Sequence, residues 1–331
     1  MVLACLLTAG CAGGFPKLVV KFGESDTTAA DRLRPFVIAS DDATATQAGA
    51  ALLRAGGTAA DAAAATALTL AVTLPSSASL HARGVCLVRD AARGETNALD
   101  FTGQESFGLT RAALTLHGTL GTLPWARAVA PAANLARFGH PLSRTAAERL
   151  SQADILLANP ETLMLFMSAR RQLLGAGEVL RMPSLAAALD KLRMQPRGAI
   201  AGVLTWSNAR SEGGGGVFSA GAAGTGAAEG STAFVVGDPK GNAVACALGL
   251  GRPFGRGTLV DGALVSAETA PLKTSLTVDP KGRVLRAAAG GAEPGAQANM
   301  FVCRLDNGAP QCEARAPGPG GYALTGEAGE P

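Results

Sequence analysis

The sequence predicts an α+β chain, helical through most of its first two thirds and β-rich after that. Three observations carry this reading. Between Thr122 and Gly202 one helix-start signal follows another. Residues 211–230 are almost entirely Gly, Ala, Ser and Thr, the composition of a linker. Beyond them GSTAFVVGDPKGNAV, Gly230 to Val244, reads as two apolar β runs around the turn residues Asp238-Pro239-Lys240-Gly241-Asn242.

The elements follow in chain order. Residues 1–11, MVLACLLTAGC, are a short apolar stretch ending in small residues and a cysteine, and resemble the end of a bacterial lipoprotein signal with Cys11 as the lipidated residue. Thr8 stands where an aliphatic residue is usual, and no Lys or Arg precedes the stretch; an ordinary export signal or a disordered N-terminus is the other reading. The expectation is an exported, periplasmic chain on a lipid anchor, with residues 1–35 as signal and tether.

Phe36–Ser40 is a strand, and Ser40, Asp41 and Asp42 are N-cap types ahead of a helix over 43–55 that Gly56-Gly57 stops. Thr58 to Val72 is apolar nearly all round, so it is a buried core helix. At about 15 residues it falls short of the roughly 20 that a membrane span needs. Asp61 near its start favours the helix dipole, and Pro75 ends it. Strands at 84–89 and 95–101 flank Ala92-Arg93-Gly94. Pro124 then opens one helix, Pro131 another through Arg137, Ser143 caps a third and Met182-Pro183 starts a fourth. The domain reading is a helix-rich region 36–210, a linker 211–230, a β region 231–313 and a disordered tail 314–331.

With 29 Lys+Arg against 26 Asp+Glu the net charge is +3, and aromatics make up 4%. Such a chain has no basic, stacking surface for nucleic acid. Cys303 and Cys312 flank an Asn307-Gly308 step, a strong hairpin signal, so a disulfide can join them across two strands. Cys86 and Cys246 lie in apolar runs and read as buried thiols. No Cys/His spacing fits a metal site and His81, His117 and His140 are isolated, so neither metal nor cofactor is expected.

Four segments carry a family resemblance: AGGTAADAAAATALTLAVTLP (55–75), LGTLPWARAVAPAANLARFGHPLSR (120–144), MPSLAAAL (182–189) and GSTAFVVGDPKGNAV. In this order they resemble the γ-glutamyltranspeptidase family of N-terminal nucleophile hydrolases, over roughly residues 36–300. The resemblance implies a four-layered αββα fold, abbreviated here, and self-cleavage between Gly230 and Ser231. The freed Ser231 would then supply a hydroxyl nucleophile and, through its α-amine, a general base.

The same resemblance marks departures. Where the family has Thr, Thr and His, this chain has Ser231, Thr232 and Ala233. Where an Arg follows an Asp-Phe pair to grip the substrate carboxylate, Thr102 follows Asp100-Phe101. A second Thr and an Asn fall at Gly249 and Gly251, the substrate-binding Gln falls near Glu268, and a paired Ser falls near Lys273-Thr274. A Gly pair of the oxyanion type corresponds to Gly290-Gly291, for which a simple turn is the alternative. In the loop after Pro75, His81 or Arg83 are candidates for anion binding, with an exposed loop residue as the other reading. Two functions stay open: γ-glutamyl transfer or hydrolysis on a glutathione-type or other small amide substrate, or a catalytically degenerate binding or structural lipoprotein.

Overall fold

The computed structural model describes residues 35–104, 106–194, 204–212, 216–222, 230–269, 272–279, 284–291, 298–306, 309–318 and 320–327. The N-terminal stretch with Cys11, the 307–308 turn and residues 223–229 just before the expected cleavage point lie outside them. The first half contains β1 (Phe36–Ser40), α1 (Ala43–Arg54), α2 (Ala59–Thr73), β2 (Arg83–Asp90), β3 (Glu95–Asp100), α3 (Gly108–Leu120) and α4 (Trp125–Phe138). A small-element region follows, with β4 (His140–Pro141), α5 (Arg144–Ser151), α6 (Asp154–Leu157), α7 (Pro160–Leu165), β5 (Val179–Leu180) and α8 (Pro183–Arg193). The remainder is β: β6 (Trp206–Asn208), β7 (Arg210–Glu212), β8 (Val217–Ala222), β9 (Ser231–Gly237), β10 (Ala243–Gly249), β11 (Leu259–Val260), β12 (Ala263–Leu264), β13 (Leu272–Val278), β14 (Val284–Gly291), β15 (Asn299–Asp306), β16 (Ala309–Arg315) and β17 (Tyr322–Gly326).

Two sheets face each other. The first has seven strands in the order β17-β1-β9-β10-β2-β3-β6, the second six in the order β16-β15-β14-β13-β8-β7. Strand alternation divides the buried side chains into two cores. Val37, Val85, Leu87, Ala233, Val235, Ala245 and Ala247 point from the first sheet towards Leu272, Leu276, Ala287 and Phe301 of the second. Ile38, Cys86, Val88, Phe234, Val236, Val244 and Cys246 point the other way, into a helical layer built on α2. On the second sheet's outer face Lys273, Arg286, Arg304 and Glu313 are exposed. Among the described residues the layers are helices, first sheet and second sheet, the expected αββα sandwich in abbreviated form.

All fifteen residues of α2 are buried, which is why its sequence shows no polar face. Thr58 and Asp61 form a reciprocal capping box at its start. Burying side chains such as Leu68, Leu70 and Val72 stabilises the fold by about 1.5–3 kcal/mol each. Gly49 allows α1 to lie on α2, because a Cβ there would sit 2.2 Å from Thr66 Oγ1 and 2.5 Å from Ile38 Cδ1.

Several expectations are corrected. Pro131 does not open a helix but lies inside α4, which runs unbroken from Trp125 to Phe138. The 211–230 segment is not only linker: Val217–Ala222 pairs with β13 as β8, since small side chains do not prevent backbone hydrogen bonding to a waiting strand. The tail 314–331 is not wholly disordered, because Tyr322–Gly326 covers the open edge of β1. Cys86 and Cys246 are not thiols; they stand opposite each other on β2 and β10 and are disulfide-bonded. Cys303 and Cys312 are likewise bonded across β15 and β16. Asp42 alone caps α1, accepting from Ala45 N–H at 2.9 Å.

Candidate active site

Ser231 begins β9 at one end of the sandwich. Its strand is fixed from three directions. On one side β9 pairs with β1, on the other with β10, where Gly249 is opposite Ser231. The third restraint is Asp41, left over once Asp42 has taken the helix cap. Its Oδ2 accepts from Thr232 Oγ1 at 2.8 Å and from Ala233 N–H at 3.0 Å, and its Oδ1 accepts from Asn299 Nδ2 at 2.8 Å. Asn299 also donates to Ala233 O at 2.8 Å, tying the second sheet to the first beside the nucleophile position. Thr232 is thereby held against Asp41.

The residue before Ser231 is equally confined. Gly230 O accepts from Leu250 N–H at 2.8 Å, and Leu250 O accepts from Ala267 N–H at 2.9 Å. A Cβ on Gly230 would lie 2.4 Å from the Arg252 carbonyl carbon, so the chain can pass here only as glycine. Gly251 has φ +86 and its α-carbon faces Glu268, where a Cβ would be 2.4 Å from the Glu268 carbonyl oxygen and 2.6 Å from its Cγ. Ser231, Gly251 and Glu268 are thus brought together around the Gly230–Ser231 peptide bond.

Ser231 and Thr232 line a small cavity of about 130 Å3 with Asp41, Ser143, Thr145 and Arg149. Arg149 extends from α5, and its guanidinium donates to Ser77 Oγ at 2.5 Å and Ser76 Oγ at 3.3 Å. The Ser-rich loop after Pro75 thereby orients a cation next to the site.

The other expected site residues fall elsewhere. Thr102 is turned onto Asp100, whose Oδ1 accepts from its N–H at 2.8 Å and its hydroxyl at 2.6 Å. It sits beyond β10 and β2 from Ser231, about 14 Å away at the usual strand spacing. Thr274 is buried in β13 and donates to Ala220 O at 2.9 Å. Gly290 and Gly291 are not a turn: they end β14, opposite Lys273 and Leu272 of β13. That end is level with Asn299, which pairs with neighbouring Ala289, and β14 packs across the sandwich on β9. His81 is a satisfied core residue, accepting from Phe107 N–H at Nδ1 and set 3.2 Å from Val260 O at Nε2; burial lowers its pKa.

Asp41, Asn299 and Arg149 escaped the sequence reading. A second acidic residue next to one that suffices as a cap was a signal for Asp41. For Asn299 and Arg149 no local pattern exists, because their roles come from contacts across the sandwich.

Away from the site, the opposite end of β9 and β10 is locked by a carboxylate network. Asp238 of the hairpin turn accepts from Ala59 N–H, the first of α2, at 3.0 Å and from Asn242 Nδ2 at 2.8 Å; burial raises its pKa. Burial also works against ionised Asp61, but His117, with Nε2 3.2 Å from Oδ1, and the N–H groups of Thr122 and Thr58 outweigh it. Together they hold that carboxyl down at about 2.

The profile of the family described as Gamma-glutamyltranspeptidase matches residues 45–115 and 107–201. The glutathione hydrolase proenzyme of Escherichia coli strain K12 is 31% identical over 226 residues, 58% of this chain and 39% of that protein. Human glutathione hydrolase 7 is 32% identical over 181 residues, 47% of this chain and 27% of that protein. The chain thus spans well under half the length of these relatives. In fold, cephalosporin acylase from Bacillus halodurans superposes with a TM-score of 0.67 over 88% of this chain and 96% of that one, at 13% identity. Residues 45–201 are thus similar in sequence to the γ-glutamyltranspeptidase family, and the two-sheet sandwich is similar in shape to that of cephalosporin acylase.

Proposed function

We propose that this protein cleaves itself between Gly230 and Ser231 and then transfers or hydrolyses γ-glutamyl groups of small amide substrates of the glutathione type. The observation that carries this is Ser231 at the first position of a strand fixed by Asp41 and Asn299, preceded by a glycine packed against Arg252. In the first step Ser231 Oγ attacks the Gly230 carbonyl carbon; the C–N bond breaks as the C–O ester forms and the proton moves to the nitrogen. Water then hydrolyses the ester and leaves Ser231 with a free α-amine. That amine takes the hydroxyl proton when Oγ attacks a substrate amide, and returns a proton to the leaving amine. One N–H of the Gly290-Gly291 pair, at the end of the facing strand, is the proposed oxyanion donor, because successive N–H groups of a strand point to opposite sides.

Export belongs to the same proposal. Two disulfides favour an oxidising compartment, and the MVLACLLTAGC stretch supplies the lipid anchor at Cys11. Loss of metabolic fatty-acid labelling in Cys11→Ala tests the anchor, and labelling that persists rejects it.

For the enzyme, the test is a denaturing gel run with thiol reductant. Two fragments are expected, the smaller beginning at Ser231, and Ser231→Ala should remain whole and turn over no γ-glutamyl anilide. An intact wild-type band after long incubation would sink the reading.

A further inference from the structure

β4 and β5 form a two-stranded ribbon in which His140 pairs with Leu180 and Pro141 with Val179. His140 and Leu180 are buried, so strand alternation turns Val179 and Arg181 outwards. A Cβ on Gly139 would sit 2.4 Å from Val179 Cγ1 and 2.8 Å from Arg181 Cγ, which puts both side chains on one face of the ribbon. Beside them lies an open groove of about 530 Å3 lined by Met164, Met167, Leu174, Val179 and Arg181. The chain after Met167 turns back on itself, with Ser168 N–H donating to Gln172 O at 2.8 Å and Met167 bridged to Leu173. Arg170 and Arg171 are the exposed tip of that turn.

This face is both apolar and positively charged. Met164 is 61% exposed, Val179 44%, and Phe138, next to Gly139, 68%. Single exposed apolar residues are ordinary, but a group of them around a groove marks a contact surface. Arg170, Arg171 and Arg181 form no ion pair among the described residues, whereas Arg137 and Arg193 nearby both meet Asp190. Of the two acids in the region, Glu178 is turned into its own loop, accepting from Gly175 N–H at 2.6 Å. Glu161 lies in the first turn of α7, where a carboxylate suits the helix dipole.

We infer that this face is a membrane-docking surface that meets a bilayer containing anionic lipid. Phe138, Met164 and Val179 enter the boundary between headgroups and acyl chains, and Arg170, Arg171 and Arg181 meet the anionic headgroups. Arginine suits the position because its stem lies along apolar surface while the guanidinium stays among the headgroups. Charge complementarity selects this occupant. A second copy docked face to face would set the same three guanidiniums against each other. A peptide filling the groove would leave Phe138 bare, since Phe138 is no part of the groove's lining. The inference rests neither on Ser231 nor on the Cys11 anchor.

Vesicle sedimentation tests it. The full-length Cys11→Ala protein, which carries no acyl anchor, is expected to partition onto vesicles of phosphatidylglycerol and phosphatidylethanolamine and to stay in solution with phosphatidylcholine alone. In that background Arg170→Ser, Arg171→Ser and Arg181→Ser together should lower the partition coefficient about 30-fold or more. Added salt should weaken the parent more than this triple variant. Phe138→Ser with Met164→Ser, which leave the charge unchanged, should lower the coefficient about 10-fold. As a charge-matched control, Arg286→Ser, Arg304→Ser and Arg315→Ser, on the exposed outer face of the second sheet, should bind like the parent. Circular dichroism checks the fold of each variant. Equal loss in that control, equal binding to phosphatidylcholine, or no binding by the parent would overturn the inference. So would an arginine triple variant that loses self-association or retention on an acidic peptide while its vesicle binding is unchanged.

Discussion

The two sheets of this molecule have the same hydrogen bonding and opposite environments. β9 and β10 of the first sheet, STAFVVG and AVACALG, are buried at nearly every position because helices cover one face and the second sheet covers the other. β13 of the second sheet, LKTSLTV, alternates buried and accessible positions because its outer face meets solvent. A strand held on both faces cannot shift register without disrupting two cores. The candidate nucleophile is built on that kind of strand, while the facing sheet contributes Asn299 as a clamp.

The contrast is broken most directly at Phe234, which is fully buried on the helical side of β9. Phe234→Ala should cost about 3–5 kcal/mol in urea unfolding, through lost burial and the cavity left behind. A cost below about 1 kcal/mol would mean that the helical layer does not hold the first sheet.

That layer also carries an acid-sensitive position. His140 is buried beside α4 with neither ring nitrogen hydrogen-bonded, and burial lowers its pKa to about 4. As pH falls below the ordinary value near 6.5, the unfolded chain binds the proton and the folded chain does not. The stability is therefore complete above about 6.5 and lost as pH falls towards 4, on the order of 3 kcal/mol over the window. Unfolding midpoints of wild type and His140→Phe between pH 7.5 and 4.5 should diverge accordingly; parallel curves would remove His140 as the cause.

Asn299→Ala sharpens the link between the sheets. It removes the donors to Asp41 and Ala233, so about 1–3 kcal/mol should be lost and conversion to the two fragments should slow. Unchanged conversion with lowered stability would restrict the residue to a structural role. At the small end, Arg286→Ala on the exposed face of β14 should change stability by less than about 0.5 kcal/mol. A larger loss would show that the outer face is covered by something.

The sequence made β1, α1, α2 and the β9–β10 hairpin legible, because their apolar patterns are unbroken and their ends are marked by Ser, Asp, Gly or Pro. Val217–Ala222 and Tyr322–Gly326 were hidden because their neighbours supply the strand character. Composition told of flexibility there, and pairing with β13 and β1 overrode it. The site was half legible. Ser231, Gly251 and Glu268 sit close in sequence to the hairpin and arrive together, whereas Asp41, Asn299 and Arg149 come from distant elements. The number of strands between Thr102 and Ser231 is set by the sheet order and by no local pattern.

The Cys86–Cys246 bond joins a residue before the Gly230–Ser231 junction to one after it. A chain severed at that junction would remain a single cross-linked heterodimer. Its two pieces would hold each other at a fixed effective concentration instead of drifting apart on dilution. Refolding after denaturation would then stay unimolecular under oxidising conditions. In reducing ones it would become a bimolecular encounter, with yield falling as the protein is diluted.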